Sequence, residues 1–149
     1  MQLQLENPFE RVERLIGKVV TNIVDIFAIE SGNGVDSRFL IAIGLEFDKE
    51  LLVVVANSDF DSIDIELAES LVEWQRAHNK EEGSLRHEQD FHLSDLIGKR
   101  LINVWLGNSE KDHLDSIDMA FDNLLFPTIK ILCVGSQLKK LRIVPIVDA

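Results

Sequence analysis

Residues Leu15-Ile16-Gly17-Lys18 recur as Leu96-Ile97-Gly98-Lys99, and an asparagine follows each copy at the same spacing, Asn22 or Asn103. Further on, Ile43-Gly44-Leu45-Glu46-Phe47-Asp48 answers to Ile117-Asp118-Met119-Ala120-Phe121-Asp122, and residues 51–58 answer to 129–136. The matches keep the same order in both halves. An internal repeat constrains architecture more than any single element, because each unit must bury its apolar face against its twin. The expectation is one domain over residues 1–149 built from two related units, about 8–66 and 91–147, joined by a helix and linker over about 67–90.

Each unit reads as a four-stranded meander. Residues 19–29 are rich in β-branched side chains, and Ser31-Gly32-Asn33-Gly34 ends them with hairpin chemistry. Phe39, Ile41, Ile43, Leu45 and Phe47 alternate with smaller or polar residues, the period-two pattern of a half-buried strand. Asp48-Lys49-Glu50 turns the chain into residues 51–56, apolar on both faces, and Ile63, Ile65 and Leu67 then alternate with Asp64 and Glu66. In the second unit the strands fall at 101–106, 117–121, 129–134 and 141–147. Two helices are expected, a short one over 8–16 with Asn7 as its cap and a central one whose stripe is Leu67, Ala68, Leu71, Val72 and Gln75. Residues 79–89 are polar and read as a surface linker. The fold class is therefore mainly β, two antiparallel meanders packed as a sandwich or partly open barrel, with α+β as the runner-up.

Aligning the last strands of the two units sets Asp61 against Lys139 and Asp64 against Arg142, and Ile63 and Ile65 against Leu141 and Ile143. Apolar positions are held while surface charges reverse. Residues 1–83 carry 17 acids and 7 bases, whereas residues 84–149 carry 9 and 8. A net charge of −11 argues against nucleic acid, which draws on a clustered basic surface. No run of roughly 18 apolar residues is present for a membrane-spanning helix. The start of the chain lacks the basic-then-apolar pattern of a secretory leader, and the single Cys133 lies in an apolar run, so a reducing cytoplasm is expected.

Candidate chemistry is sparse. Asp59, Asp61 and Asp64 form the densest acidic loop, with oxygen ligands suited to a hard cation, but without the glycine and distant glutamate of an EF-hand. Arg86-His87-Glu88-Gln89-Asp90-Phe91-His92 holds two histidines without the further ligands that zinc needs. No phosphate loop or nucleophile elbow is present, so no catalytic residue, resident metal or cofactor is assigned. Trp74 ends the central helix among polar residues, where an aromatic covers a core edge or anchors a partner. Trp105 is expected to pack in the core.

The pattern Gly98, Trp105, Asn108, Asp115 and Phe121 resembles that of a family of small uncharacterised bacterial proteins, over the second half only. The chain departs from it at Glu110-Lys111-Asp112-His113, where a glycine–aromatic pair would precede the aspartate. The resemblance implies a β-rich domain and no activity. The expected function is a non-catalytic acidic binding protein, masking a basic partner as toxin-neutralising immunity proteins do. Its surface would be Asp59, Asp61, Asp64, Glu66, Glu69, Glu73 and Trp74. The alternatives are a metal-dependent protein or enzyme using Asp59, Asp61 and Asp64, perhaps with His113, and a subunit that associates with itself.

Overall fold

The computed structural model describes residues 8–32, 34–57, 61–78, 85–108, 114–122 and 127–143. Helix α1 (Pro8–Glu13) leads into β1 (Asn22–Gly32), β2 (Val35–Phe47), β3 (Glu50–Asn57) and β4 (Ser62–Ala68), consecutive antiparallel neighbours. Helix α2 (Leu71–His78) follows, and β5 (Leu85–Gln89) then pairs with the free edge of β1. A 3-10 turn (Ser94–Leu96) opens the second meander, β6 (Leu101–Asn108), β7 (Leu114–Phe121), β8 (Ile129–Val134) and β9 (Gln137–Arg142).

One sheet path folds over on itself. The bridge Ile63–Leu114 joins β4 to β7, and the bridge Val19–Arg100 joins the segments that precede β1 and β6. Strands β8 and β9 pack across β2, β3 and β4, so the meanders face each other as a β-dominated sandwich that does not close into a barrel. Ile43, Leu45, Leu52 and Val54 meet Ile117, Met119, Phe121 and Ile131 between the layers. Side chains of this kind contribute about 1.5–3 kcal/mol each when fully buried. A second cluster lies on the outer face of the first meander, where Ile26, Ala42, Leu51 and Val53 are covered by Trp74 of α2. Ser70 starts that helix, its Oγ accepting the Glu73 N–H at 3.2 Å, the Ser-x-x-Glu arrangement of a helix start.

The two Leu-Ile-Gly-Lys segments run antiparallel beside each other, and their hydrogen bonds match in pairs. Gly17 N–H donates to Leu101 O and Gly98 N–H to Val20 O, each at 2.7 Å. Val20 N–H donates to Lys99 O and Leu101 N–H to Lys18 O, each at 2.9 Å. Both glycines have positive φ, +94° at Gly17 and +91° at Gly98, a conformation that a Cβ disfavours. The positions therefore require glycine for backbone reasons.

Four expectations change. The segment expected as linker contains β5, an edge strand held by backbone pairing to β1; its charged, mostly exposed side chains suit an edge and hide it from apolar alternation. The central helix begins at Leu71 because Leu67 and Ala68 still belong to β4. The last strand lies at Gln137–Arg142 instead of 141–147, because Gly135 and Ser136, both at positive φ, turn the chain at once; residues 144–149 lie outside the described residues. Trp105 is 37% exposed instead of buried in the core.

The hairpin at Gly135-Ser136 also corrects the alignment of the halves. Leu45 pairs with Leu52 and Met119 with Ile129, so Leu52, not Leu51, corresponds to Ile129. A slip of one residue exchanges the faces of a strand, and Leu51 indeed lies on the outer face beneath α2. Val54 pairs with Ile65 and Ile131 with Lys140, so Lys140 stands where the first meander has Ile65.

Candidate functional site

The expected acidic surface separates into two parts. Asp59 lies outside the described residues, as does His113. Asp61, at φ +53°, turns toward the second meander, where its Oδ1 accepts the Ser136 N–H at 3.3 Å and the Cys133 thiol at 3.6 Å. Burial and this carboxylate push the Cys133 thiol above its ordinary pKa. Asp64 is exposed and accepts from Asn57 at 3.3 Å. Asp61 and Asp64 thus have different partners. Among the described residues no three His, Cys, Asp or Glu side chains gather as a metal site would require.

The remaining acids gather around α2. Ile63 and Ile65 face the core, so Asp64 and Glu66 share the outer face of β4. Glu69 and Glu73 are exposed beside them at the start of the helix. Trp74 is buried to 3% exposure and carries the outer cluster instead of projecting as an anchor. Its ring stacks on His78 at 4.3 Å between centroids, His78 Nε2 meets Glu66 Oε1 at 2.7 Å, and His78 Nδ1 meets Trp74 O at 2.9 Å. Both ring nitrogens thus face oxygen atoms. The Trp74 Nε1–H has no acceptor among the described residues although the atom is buried. Beside this group is a cavity of about 430 Å³ whose lining sets Glu66 and Glu73 beside Arg76 and His78 over an apolar floor of Leu67, Ala68, Trp74 and Ala77. Glu66 is engaged by His78, so the apolar floor and the Glu73 carboxylate are what the cavity offers a basic side chain, methylene stem on the floor and charged head at the rim.

A second cluster was invisible in the sequence. On the inner face of β9, Lys140 Nζ donates to Asp25 Oδ2 at 2.7 Å and to Asp90 Oδ2 at 2.6 Å, across the gap between the meanders. Only 11% of the lysine side chain is exposed, with 12% for Asp25 and none for Asp90. Asp90 Oδ1 also accepts the Leu93 N–H at 2.9 Å and so shapes the turn before Ser94. Burial raises Asp90, but the Lys140 and Leu93 hydrogen bonds outweigh it and hold its pKa below the usual value. Burial dominates at Asp25, with the Asp90 charge adding to it, and its pKa rises from 3.8 to about 6 despite Lys140. Asp25 Oδ1 has no hydrogen-bond partner among the described residues.

Strand register shows what these charges replace. Asp25 pairs with Ile43 as Leu106 pairs with Ile117, so Asp25 stands where the second meander has Leu106. Leu15 N–H bonds to Val12 O as Leu96 N–H bonds to Leu93 O, which sets Asp90 in the place of Phe9. The corresponding residues are thus Leu106, Phe9 and Ile65, all apolar. Next in line, Arg142 holds Asp95 through two bonds at 2.9 and 2.5 Å and lowers that carboxyl's pKa. Asp25 inside a β-branched run and Lys140 between leucines were the available signals, but no spacing rule pairs residues so far apart.

The sequence pattern of a family of unknown function, DUF6334, matches residues 3–146. The chain belongs to that family. Membership covers nearly the whole chain, so the likeness to an uncharacterised family is not confined to the second half. No curated protein and no solved structure matches this DUF6334 member. Among its described residues no helix is long and apolar enough to cross a membrane.

Proposed function

We propose that this DUF6334 protein is a non-catalytic binding module that receives a basic protein partner on the face formed by β4 and α2. The observation that carries this reading is the cavity beside Trp74, where Glu66 and Glu73 stand over an apolar floor. A lysine or arginine side chain in it would gain the Glu73 carboxylate, a share of Glu66 beside His78, packing for its stem and a tryptophan wall. Asp64 and Glu69 extend the negative surface around it, and the net charge of −11 steers a basic partner toward the molecule. The cytoplasm remains the proposed compartment, consistent with the buried thiol of Cys133.

Of the last-strand bases that self-association would use, Lys139 and Arg142, the second is paired within the chain to Asp95, which favours a foreign partner over a second copy. The test is affinity capture from the native cell with the wild type and with the exposed double charge reversal Glu69→Lys/Glu73→Lys. The expected result is a basic protein retained at low salt, released as salt shortens the Debye length to about 3 Å near 1 M, and not captured by the variant. Equal capture by both forms would count against the β4–α2 face.

A further inference from the structure

The two meanders differ in how the edge of their first strand is finished. On β1 the edge is filled: the Ile23 C=O accepts the Asp90 N–H at 3.0 Å, and β5 continues the ladder from Val24 to Ala28. Ile23 pairs with Leu45 as Val104 pairs with Met119, so Val104 and Leu106 of β6 stand where β1 has Ile23 and Asp25. The Leu-Ile-Gly-Lys contact fills the edge of β6 only as far as Leu101, and no described strand continues it.

The backbone groups on that edge can be assigned. The Met119 C=O accepts the Thr128 N–H at 2.7 Å and so points away from β6, which turns the amide groups of Asp118 toward β6. Trp105, opposite Asp118, therefore spends its amide groups on β7, while those of Val104 and Leu106 point outward. The Val104 N–H accordingly meets no strand and is bonded by the Asn103 Oδ1 at 2.9 Å. Val104 and Leu106 turn their side chains to the core, which leaves Trp105 on the outer face, 37% exposed.

Composition points to the occupant. Open edges are ordinarily guarded by charge, and both ends of the sheet path are: β5 carries Arg86, His87 and Glu88, and β9 carries Lys139, Lys140 and Arg142. Strand β6 has neither a charged residue nor a proline. In a chain of net charge −11, a neutral strand is a place where two copies can approach without like charges in contact. The register is also self-complementary, since residues 103–107 pair with β7 without a shift and Trp105 lies at their centre. We propose that this edge pairs antiparallel with the same edge of a second copy, about a twofold axis at Trp105. Trp105 then faces Trp105 of the other copy, and Val104 exchanges both backbone hydrogen bonds with Leu106. The contact differs in kind from one through charged last strands, and it uses no residue of the β4–α2 face, so the two readings stand or fall independently.

Sedimentation of the full chain between about 10 μM and about 1 mM tests the assignment. Five residues a side are far fewer than the roughly 20–30 of a stable complex, so a dissociation constant on the order of 100 μM is expected. Raising salt from about 0.05 M to about 0.5 M should tighten the dimer, because it screens the repulsion between two acidic chains. The exposed substitution Trp105→Lys sets like charges opposite each other and should weaken association by on the order of tenfold or more, with the melting transition kept. Tryptophan emission of the wild type should move to the blue with concentration, Trp74 being buried throughout, and that of the variant should not. A monomer over the whole range, as a foreign strand or another segment of the chain on the edge would leave it, would overturn the proposal. So would association that weakens with salt, or a Trp105→Lys variant that associates as the wild type does.

Discussion

Replacing Asp25 by Asn should stabilise the protein at neutral pH, although it removes one side of an ion pair measured at 2.7 Å. Lys140 is shared with Asp90, and burial with the neighbouring charge leaves Asp25 with a folded-state pKa of about 6 against an ordinary 3.8. A group whose folded pKa is raised contributes stability that is fully present below the unfolded value and is lost as pH rises through the folded value. The window is therefore about pH 4 to 6. At about 1.4 kcal/mol per pKa unit, ionised Asp25 costs the fold about 3 kcal/mol above that window. Asn keeps an acceptor for Lys140 without the charge. Asp25→Asn should match the wild type near pH 4 and exceed it by up to about 3 kcal/mol at pH 7.5, roughly 6–12 °C in Tm for a chain of this size. Asp90 acts with the opposite sign, but its lowered pKa places that loss below the window. Urea denaturation at several pH values between 4 and 8 is the assay. A variant less stable than wild type at pH 7.5, or one whose stability still falls between pH 4 and 6, would refute this account of the cluster.

Other perturbations test neighbouring parts. Lys140→Met leaves two buried carboxylates without their cation and should cost about 3–5 kcal/mol at pH 7.5, and less at pH 5, where Asp25 takes up a proton. Gly17→Ala and Gly98→Ala should each cost about 1–2 kcal/mol in thermal melts, since both residues sit at positive φ with open space around the missing Cβ. Trp74→Phe removes an unpartnered N–H and should be mild, whereas Trp74→Ala empties the outer cluster and should cost about 3–5 kcal/mol. Arg142→Ala should cost no more than about 1 kcal/mol by denaturation, because both partners in its pair with Asp95 are more than a third exposed.

The sandwich was legible because β2, β3, β7 and β8 alternate cleanly or run apolar, and because Asp48-Lys49 and Pro127-Thr128 punctuate them. Strand β5 was not, since backbone pairing to an open edge needs no apolar side chain. The last strand was displaced because Leu141 and Ile143 offered a more apolar pattern than Gln137–Arg142, and a two-residue turn overrode it. The same displacement hid the charged cluster: Lys140 was assigned to the turn before the strand, although register turns it inward onto Asp25. The acids around Glu66 and Glu73 were visible in the sequence; that Trp74 lies under them instead of beside them depended on the outer face of β1–β3 being apolar.

The central claim is that matched apolar positions carry the fold and that the buried charges at one end are not required for its stability. Its most direct test replaces the cluster in the likeness of the other meander, Asp25→Leu/Lys140→Ile, with Asp90→Asn to retain the acceptor for Leu93. Denaturation at pH 7.5 should find this variant at least as stable as wild type, because apolar replacement of a whole buried ion cluster is neutral or stabilising by about 1–4 kcal/mol. A loss of more than about 2 kcal/mol would contradict the claim and make the cluster a structural clasp.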